Sequence, residues 1–442
     1  MELKFSHGSY NNALGRGDCA PPMLVRTFFP VDRVRFHASR NLATGLQLGQ
    51  VKKRLSPDMF RDLRGALGLT MKHAQTLFPA YRFLAPEYVN EEWLASVDWH
   101  KKFHRDHVLH QPMCVHVGFT LLNKLTGFGQ SGGSLLNNCT EAFLTGSKCR
   151  YLREHLKAMG ARGMLRRLRQ CSGLVEDYFL DVFFLSALFH DLGYPWQFTG
   201  KINDSLGALA PVGSAPTLDP DQVLSHYGQR LFLTPLRGYL EDPSPPASWA
   251  KEYKEILAKG LSDTHGLPGA VSFLHLNDLL RVYPNQAKPL HRFGLEWAAM
   301  AIMMHDMGKM YAKADGSTLK ILNPQLRLCF DRDPLSFVLA LTDLIQDFAR
   351  PDASFMPGKG RGSKTKTTVC YGHRCQGVRI KWDEKDRILE IIYQYKRHQD
   401  YVANKTQFLP EGETLNFDPS RGYLDPGSLG IKRIHMNAEH IH

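Results

Sequence analysis

Leu185-Ser-Ala-Leu-Phe-His190-Asp191-Leu-Gly-Tyr-Pro-Trp196 is the stretch from which the fold of this chain can be read. It continues Phe179, Leu180, Val182, Phe183 and Phe184, an apolar run broken only by Asp181 that leads straight into a His-Asp pair. A segment apolar on every side predicts a buried helix. Gly193 and Pro195 are expected to end it, glycine by entering the left-handed conformation and proline because it cannot continue a helix. An imidazole and a carboxylate at the end of a buried helix are costly unless something pairs with them. A metal ion would remove that cost, whereas a His-Asp pair capping a surface helix would never incur it.

The 442 residues are enough for a sizeable core, arranged as one large domain with extensions or as two to three smaller ones. The apolar fraction of 43% is ordinary for a globular chain. The first residues, Met1-Glu-Leu-Lys-Phe-Ser-His-Gly, have no basic segment followed by an apolar one, so no secretory signal is expected. The longest apolar runs, 179–189 and 297–304, are too short to span a bilayer. Eight scattered cysteines fit reduced thiols, and the expected location is cytoplasmic. A net charge of +12 points to an anionic partner: a phosphorylated substrate, nucleic acid or a membrane surface. Nothing in the sequence fixes an oligomeric state.

Outward from the central stretch, the chain alternates helical text with loops. Residues 1–92 mix a strand-like segment over 24–36 with helix, which Ser56-Pro57 would start. From Trp93 to Leu125 the text is helical and rich in histidine, with His104, His107 and His110 sharing one face. The glycine- and asparagine-rich stretch 126–147 reads as a loop. A basic helical segment follows over 148–169, with Leu152, Leu156 and Met159 as its buried stripe and a solvated basic face. Seven prolines mark 197–248 as a long insertion, of the sort that serves as a substrate loop or is disordered. Further helices are expected over Trp249–Lys259, from His265-Gly266 onward, and over 293–305, where a second His-Asp pair stands in His305-Asp306-Met-Gly308-Lys309. Asp333-Pro334 caps a last helix, expected to run to Arg350 before Pro351. Beyond it lie a basic linker, a β-hairpin built from 378–382 and 388–393, and a tail in which His435, His440 and His442 look unstructured. No repeat or coiled coil is visible.

Embedded in the helical text, in order, are His110, His190-Asp191, His265, His305 and Asp343. With Ala187-Leu-Phe-His190-Asp191-Leu-Gly193 as its most specific piece, this order resembles the HD-domain superfamily of metal-dependent phosphohydrolases. The resemblance covers about 93–351. Arg105-Asp-His-Val-Leu-His110 is similar to the superfamily's first-histidine helix, His265-Gly266 to its third, and Asp333 through Asp343 to its last. The resemblance implies a mainly α fold: an HD-type helical bundle over 93–351, a mixed N-terminal extension over 1–92, and a basic linker, β-hairpin and tail over 352–442.

It also implies a ligand set. His110, His190, Asp191 and Asp343 would hold a first divalent transition metal, and His265 and His305 a second, with Asp191 between them. Mixed imidazole and carboxylate ligands suit Mn, Fe, Co, Ni or Zn better than Mg. Two such ions activate water for attack at phosphorus, so a phosphate ester or anhydride of nucleotide type is the expected substrate. Asp191 is then catalytic as well as a ligand, and Lys309 or the arginines of 150–169 would meet the developing phosphate charge. His107 competes with His110 for the first position. A one-metal site of His265, His305, Asp306 and Asp343 is the alternative that the second doublet offers, and Tyr194 stands where many relatives have lysine. An HD nuclease acting on single-stranded nucleic acid and a non-catalytic metal-binding sensor are the other functional readings. Cys370, His373 and Cys375 lack both a fourth ligand and CxxC spacing, so the two cysteines read as free surface thiols.

Overall fold

The computed structural model of the chain describes residues 1–6, 107–129, 132–160, 172–194, 220–227, 230, 249–279, 289–315, 318–346, 351–357, 367–373, 375–402 and 422–441. The expected strand over 24–36, the helix from Ser56 and His104 lie outside them, as do most of 197–248, Arg166, Arg167 and Arg169.

Helices make up most of the described structure. They are α1 (His107–Lys124), α2 (Leu135–Thr145), α3 (Arg150–Ala158), α4 (Ser172–Phe189), α5 (Pro220–Tyr227), α6 (Trp249–Asp263), α7 (Gly266–Leu279), α8 (Pro289–His305), α9 (Gly308–Tyr311) and α10 (Pro334–Ile345). The all-round apolar α4 packs against α1, α2, α8 and α10 and is buried from Phe179 to Asp191. Only a central position satisfies such a sequence, because every face must be covered. The aromatic rings of Phe143, Phe179, Phe293 and Trp297 stack around it, joining α2, α4 and α8. Full burial of each such ring is worth about 1.5–3 kcal/mol, so this cluster is a main source of the bundle's cohesion.

Helix α10 begins as its sequence predicts. The Asp333 side chain accepts from the Ser336 amide at 3.2 Å with Pro334 at the first helical position, and it also accepts from Trp297 Nε1 at 3.0 Å. It ends at Ile345, however, not at Arg350, with Gln346 already outside helical geometry. The supposed loop over 126–147 is also corrected. Ser134 caps α2 through Asn137, and Leu135, Leu136, Cys139 and Phe143 form its buried stripe. Three- and four-residue apolar spacing outweighs the local density of glycine and asparagine there.

A four-stranded sheet lies beside the bundle, its strands in the spatial order β1 (Glu2–Ser6), β2 (Cys375–Asp383), β3 (Ile388–Tyr395) and β4 (Arg433–His440). Strands β2 and β3 form the expected hairpin, with Trp382 opposite Leu389 and Ile380 opposite Ile391. The first strand, β1, pairs antiparallel with β2, and the last, β4, parallel with β3. His435 and His440 therefore sit in a strand, not in an unstructured tail. Their partner lies more than forty residues away, which no local pattern reveals. One buried cluster joins the sheet to the bundle: Phe128 meets Trp382 at 4.6 Å between ring centroids, and the Tyr393 hydroxyl donates to the Leu344 carbonyl at 2.8 Å. Among the described residues no helix is long and apolar enough to cross a membrane.

Candidate metal centre

Five helices deliver one or two side chains each to a single point. His110 comes from the first turn of α1, His190 and Asp191 from the turn that ends α4, His265 from the residue before α7, His305 from the last position of α8, and Asp343 from α10. All six residues predicted as metal ligands are thus brought together. His110 faces the cluster, and the side chain of His107 lies outside the described residues.

The donor atoms converge. His110 Nε2 lies 3.2 Å from His190 Nε2, 2.7 Å from Asp343 Oδ1 and 3.7 Å from Asp191 Oδ2. His265 Nε2 lies 3.1 Å from both His305 Nε2 and Asp191 Oδ1, and His190 Nε2 is 3.4 Å from that same oxygen. Metal bonds of about 2.0–2.2 Å to nitrogen and oxygen place neighbouring ligand atoms about 3–3.5 Å apart, so these separations fit the edges of coordination polyhedra. The two oxygens of Asp191 face different partners, Oδ2 toward His110 and Oδ1 toward His265.

Each imidazole is held by its other nitrogen. Nδ1 of His190 lies 2.8 Å from the Ala187 carbonyl and that of His305 2.6 Å from the Ile302 carbonyl. His110 Nδ1 meets Gln346 Oε1, and His265 Nδ1 lies 2.7 Å from Asp306 Oδ2. An oxygen thus sits beside Nδ1 of all four rings, and each Nε2 turns toward the centre of the cluster. Four imidazole Nε2 atoms and two carboxylates turned toward one buried point form a donor set that fits divalent transition metals.

Charge in the cluster is strongly coupled. For His265, burial pushes the imidazole down but the Asp306 and Asp191 carboxylates outweigh it, raising the ring to about 9. Burial and the neighbouring His190 and His265 rings push His305 down to about 4. His190 is raised, because Asp191 and Asp343 overcome its burial. Asp343 is held well below the carboxylate range, its burial outweighed by hydrogen bonds from His110 and His190. Asp343 is also the rim of the cluster, with 31% of its side chain exposed against 2% for His110 and 3% for Asp191.

Gly193 works differently from the helix stop its sequence context predicts. It is not in the left-handed region; a Cβ there would fall 1.8 Å from the His265 carbonyl oxygen and 2.6 Å from the Gly269 amide nitrogen. Glycine lets the backbone after His190-Asp191 lie directly on the start of α7, and so brings His265 up to Asp191. Tyr194 stacks on His265, ring centroids 4.0 Å apart and 20° from parallel. This position therefore supplies aromatic packing here.

Three further contributors escaped the sequence reading of the first group. Cys114, one turn after His110, is buried with its sulfur 3.6 Å from both His110 nitrogens and groups with His110, His190 and Asp343. Its spacing of four from His110 was the available signal. Gln346 orients His110, and Met113 in turn accepts from the Gln346 amide at 3.2 Å. Nothing in the local sequence marks either. Lys309 falls in α9, immediately after the second doublet, and its side chain lies outside the described residues, as do those of Cys370 and His373. Cys375 is buried, not at the surface, and its thiol donates to the Gly377 carbonyl at 3.2 Å.

The described part of the basic segment is occupied structurally. Arg153 donates to the Phe143 and Gly146 carbonyls at 2.8 and 2.7 Å, closing the end of α2, while Arg150 pairs with Glu154 and Lys148 with Asp331. Comparison of the chain with protein-family models, with curated proteins and with solved structures finds no match among them.

Proposed function

We propose that this chain is a metal-dependent phosphohydrolase of the HD type, cleaving a phosphate ester or anhydride of a small nucleotide-type substrate. The observation that carries the reading is the convergence of four imidazole Nε2 atoms and two carboxylates on one buried point, in the order and helical setting of that superfamily. His110, His190, Asp191 and Asp343 would hold a first ion, and Asp191, His265 and His305 a second. Ions so held supply Lewis acidity and a water deprotonated near neutral pH for attack at phosphorus.

The protein's own groups set the terms of that chemistry. Asp191, nearly fully buried, places Oδ2 beside His110 and Oδ1 between His190 and His265, so its carboxylate touches both halves of the cluster. The backbone and side-chain acceptors at Nδ1 fix the ring planes, so little reorganisation is needed on binding. The partly exposed Asp343 marks the side from which a phosphate group reaches the cluster. Lys309, by its place directly after the second doublet, is the candidate cation for the phosphate charge.

The test is metal analysis of purified protein, followed by a phosphate-release screen over nucleotides, cyclic nucleotides and single-stranded DNA and RNA. One to two equivalents of Mn, Fe, Co, Ni or Zn and metal-dependent turnover of a small nucleotide are expected. Metal-free protein that takes up none of these ions overturns the reading. Metal without turnover leaves the sensor alternative as the better one.

A further inference from the structure

The second His-Asp doublet raises its own question, since only His305 of the pair joins the cluster. Asp306 faces the opposite side of His265. Its Oδ2 lies 2.7 Å from His265 Nδ1 and accepts from the His265 backbone amide at 2.9 Å. Because Nδ1 and Nε2 lie across the ring from each other, Asp306 stands behind His265 and points away from the convergence of Nε2 atoms. The other three imidazoles rest on neutral acceptors: the Gln346 amide, the Ala187 carbonyl and the Ile302 carbonyl. A carboxylate behind a ligating histidine raises the basicity of the far nitrogen and fixes its tautomer, and loss of such a group typically costs 10–100-fold in metal affinity.

We propose that Asp306 is the positioning residue that makes the His265–His305 side of the cluster a retentive metal site. The inference rests on the metallohydrolase reading and assigns the second doublet a divided task, His305 toward the ion and Asp306 behind its neighbouring ligand. It excludes the one-metal arrangement in which Asp306 is itself a ligand. His265 is further clamped by the Tyr194 ring on its face and by the close approach of Gly193 to its carbonyl, so a change at Asp306 acts on charge with the ring already confined.

Asp306→Asn is the discriminating variant. Both contacts run to a single oxygen, Oδ2, and an amide oxygen in that place keeps the backbone hydrogen bond and the close approach to Nδ1 while lacking the charge. Zinc or cobalt titration with a competing chelator, scored alongside total metal content, is the measurement. The wild type is expected to hold two ions. Asp306→Asn is expected to hold one tightly and the second about 10–100-fold more weakly. Two ions held equally tightly by wild type and variant would overturn the proposal and leave the metallohydrolase reading standing, whereas a wild type that binds neither ion removes both. Should the variant fold poorly, the wild-type zinc form supplies a second test. The ring proton between His265 and Asp306 should appear as a far-downfield, exchange-protected resonance that is missing in His265→Ala. Its absence from the wild type would equally overturn the assignment.

Discussion

At the scale of single residues, the cluster is decided by which atom each side chain presents. Asp191 meets both halves, Oδ2 beside His110 and Oδ1 beside His190 and His265, so Asp191→Ala should remove more metal than any other single change, read as equivalents per chain after exhaustive dialysis. Full retention in that variant would sink a two-ion centre. His305→Ala should leave the His110–His190–Asp343 half loaded, because those three residues group with Cys114 as a set of ligand atoms that does not include His305. Loss of all metal from it would favour a single ion centred on His265 and His305. A separate residue-scale prediction concerns α4. Burial, with a smaller push from Glu176, raises Asp177 from 3.8 to about 7, and burial raises Asp181 well above its ordinary value. A carboxyl with a raised folded-state pKa contributes stability below its unfolded pKa that is lost as pH rises through the folded value. For Asp177 that window runs from about pH 4 to about pH 7. Asp177→Asn should therefore gain about 1–2 kcal/mol over wild type at pH 8, after allowance for partial exposure, and little at pH 4. Equal denaturation midpoints for the two proteins at pH 8 would refute this.

At the scale of elements, the helix ends are where function is built, and the sequence reported them unevenly. The apolar text of α4 and α8 and the cap at Asp333 were legible because hydrophobic pattern and capping chemistry are local. The six converging positions were legible as a set because each interrupts such text with a polar group that a core does not otherwise tolerate. Cys114 and Gln346 were not, since a buried thiol is ordinary in a core and a glutamine at a helix end is ordinary at a surface. The role of Gly193 was misread for a related reason. A turn glycine looks the same in sequence whether it is needed for its backbone conformation or for the absence of a Cβ. The structure makes the second case testable: Gly193→Ala forces a methyl group against the His265 carbonyl. The turn or α7 must move, with a loss of about 1–3 kcal/mol or more, and His265 should withdraw from Asp191. A thermal melt and a metal titration of the same preparation should therefore fall together. An unchanged melt would show that the two segments are free to separate.

At the scale of the whole molecule, the least legible feature is the union of the chain's two ends. Strand β1 carries Phe5 into the buried cluster against β2, and β4 closes the far side of the sheet, pairings set by long-range register that local periodicity does not encode. Phe5→Ala should cost about 3–5 kcal/mol, measured by denaturant unfolding, if the first strand belongs to the cooperative core. The net charge of +12 is also a property of the whole, and its distribution bears on substrate size. A nucleic-acid groove needs cations free to meet phosphates and aromatic rings on which bases stack. In the described part of the basic segment, Lys148, Arg150 and Arg153 already have acidic or carbonyl partners, and Tyr151 is the one aromatic residue of α3. On the sheet, Arg379 pairs with Glu2 and Glu439, and Lys381 lies 3.8 Å from Glu390. Replacing Arg166, Arg167 and Arg169 together should then leave mononucleotide turnover nearly unchanged, because a small phosphate needs only the centre and one or two adjacent cations. The same triple variant should show no strong single-strand binding to lose. The contrary result is specific: a micromolar or tighter complex with single-stranded DNA or RNA in the wild type, weakening steeply with salt and abolished by the three changes. Since each lost phosphate contact removes released counterions and flattens the salt slope, that outcome would identify a polymer track and make the nuclease reading the better one.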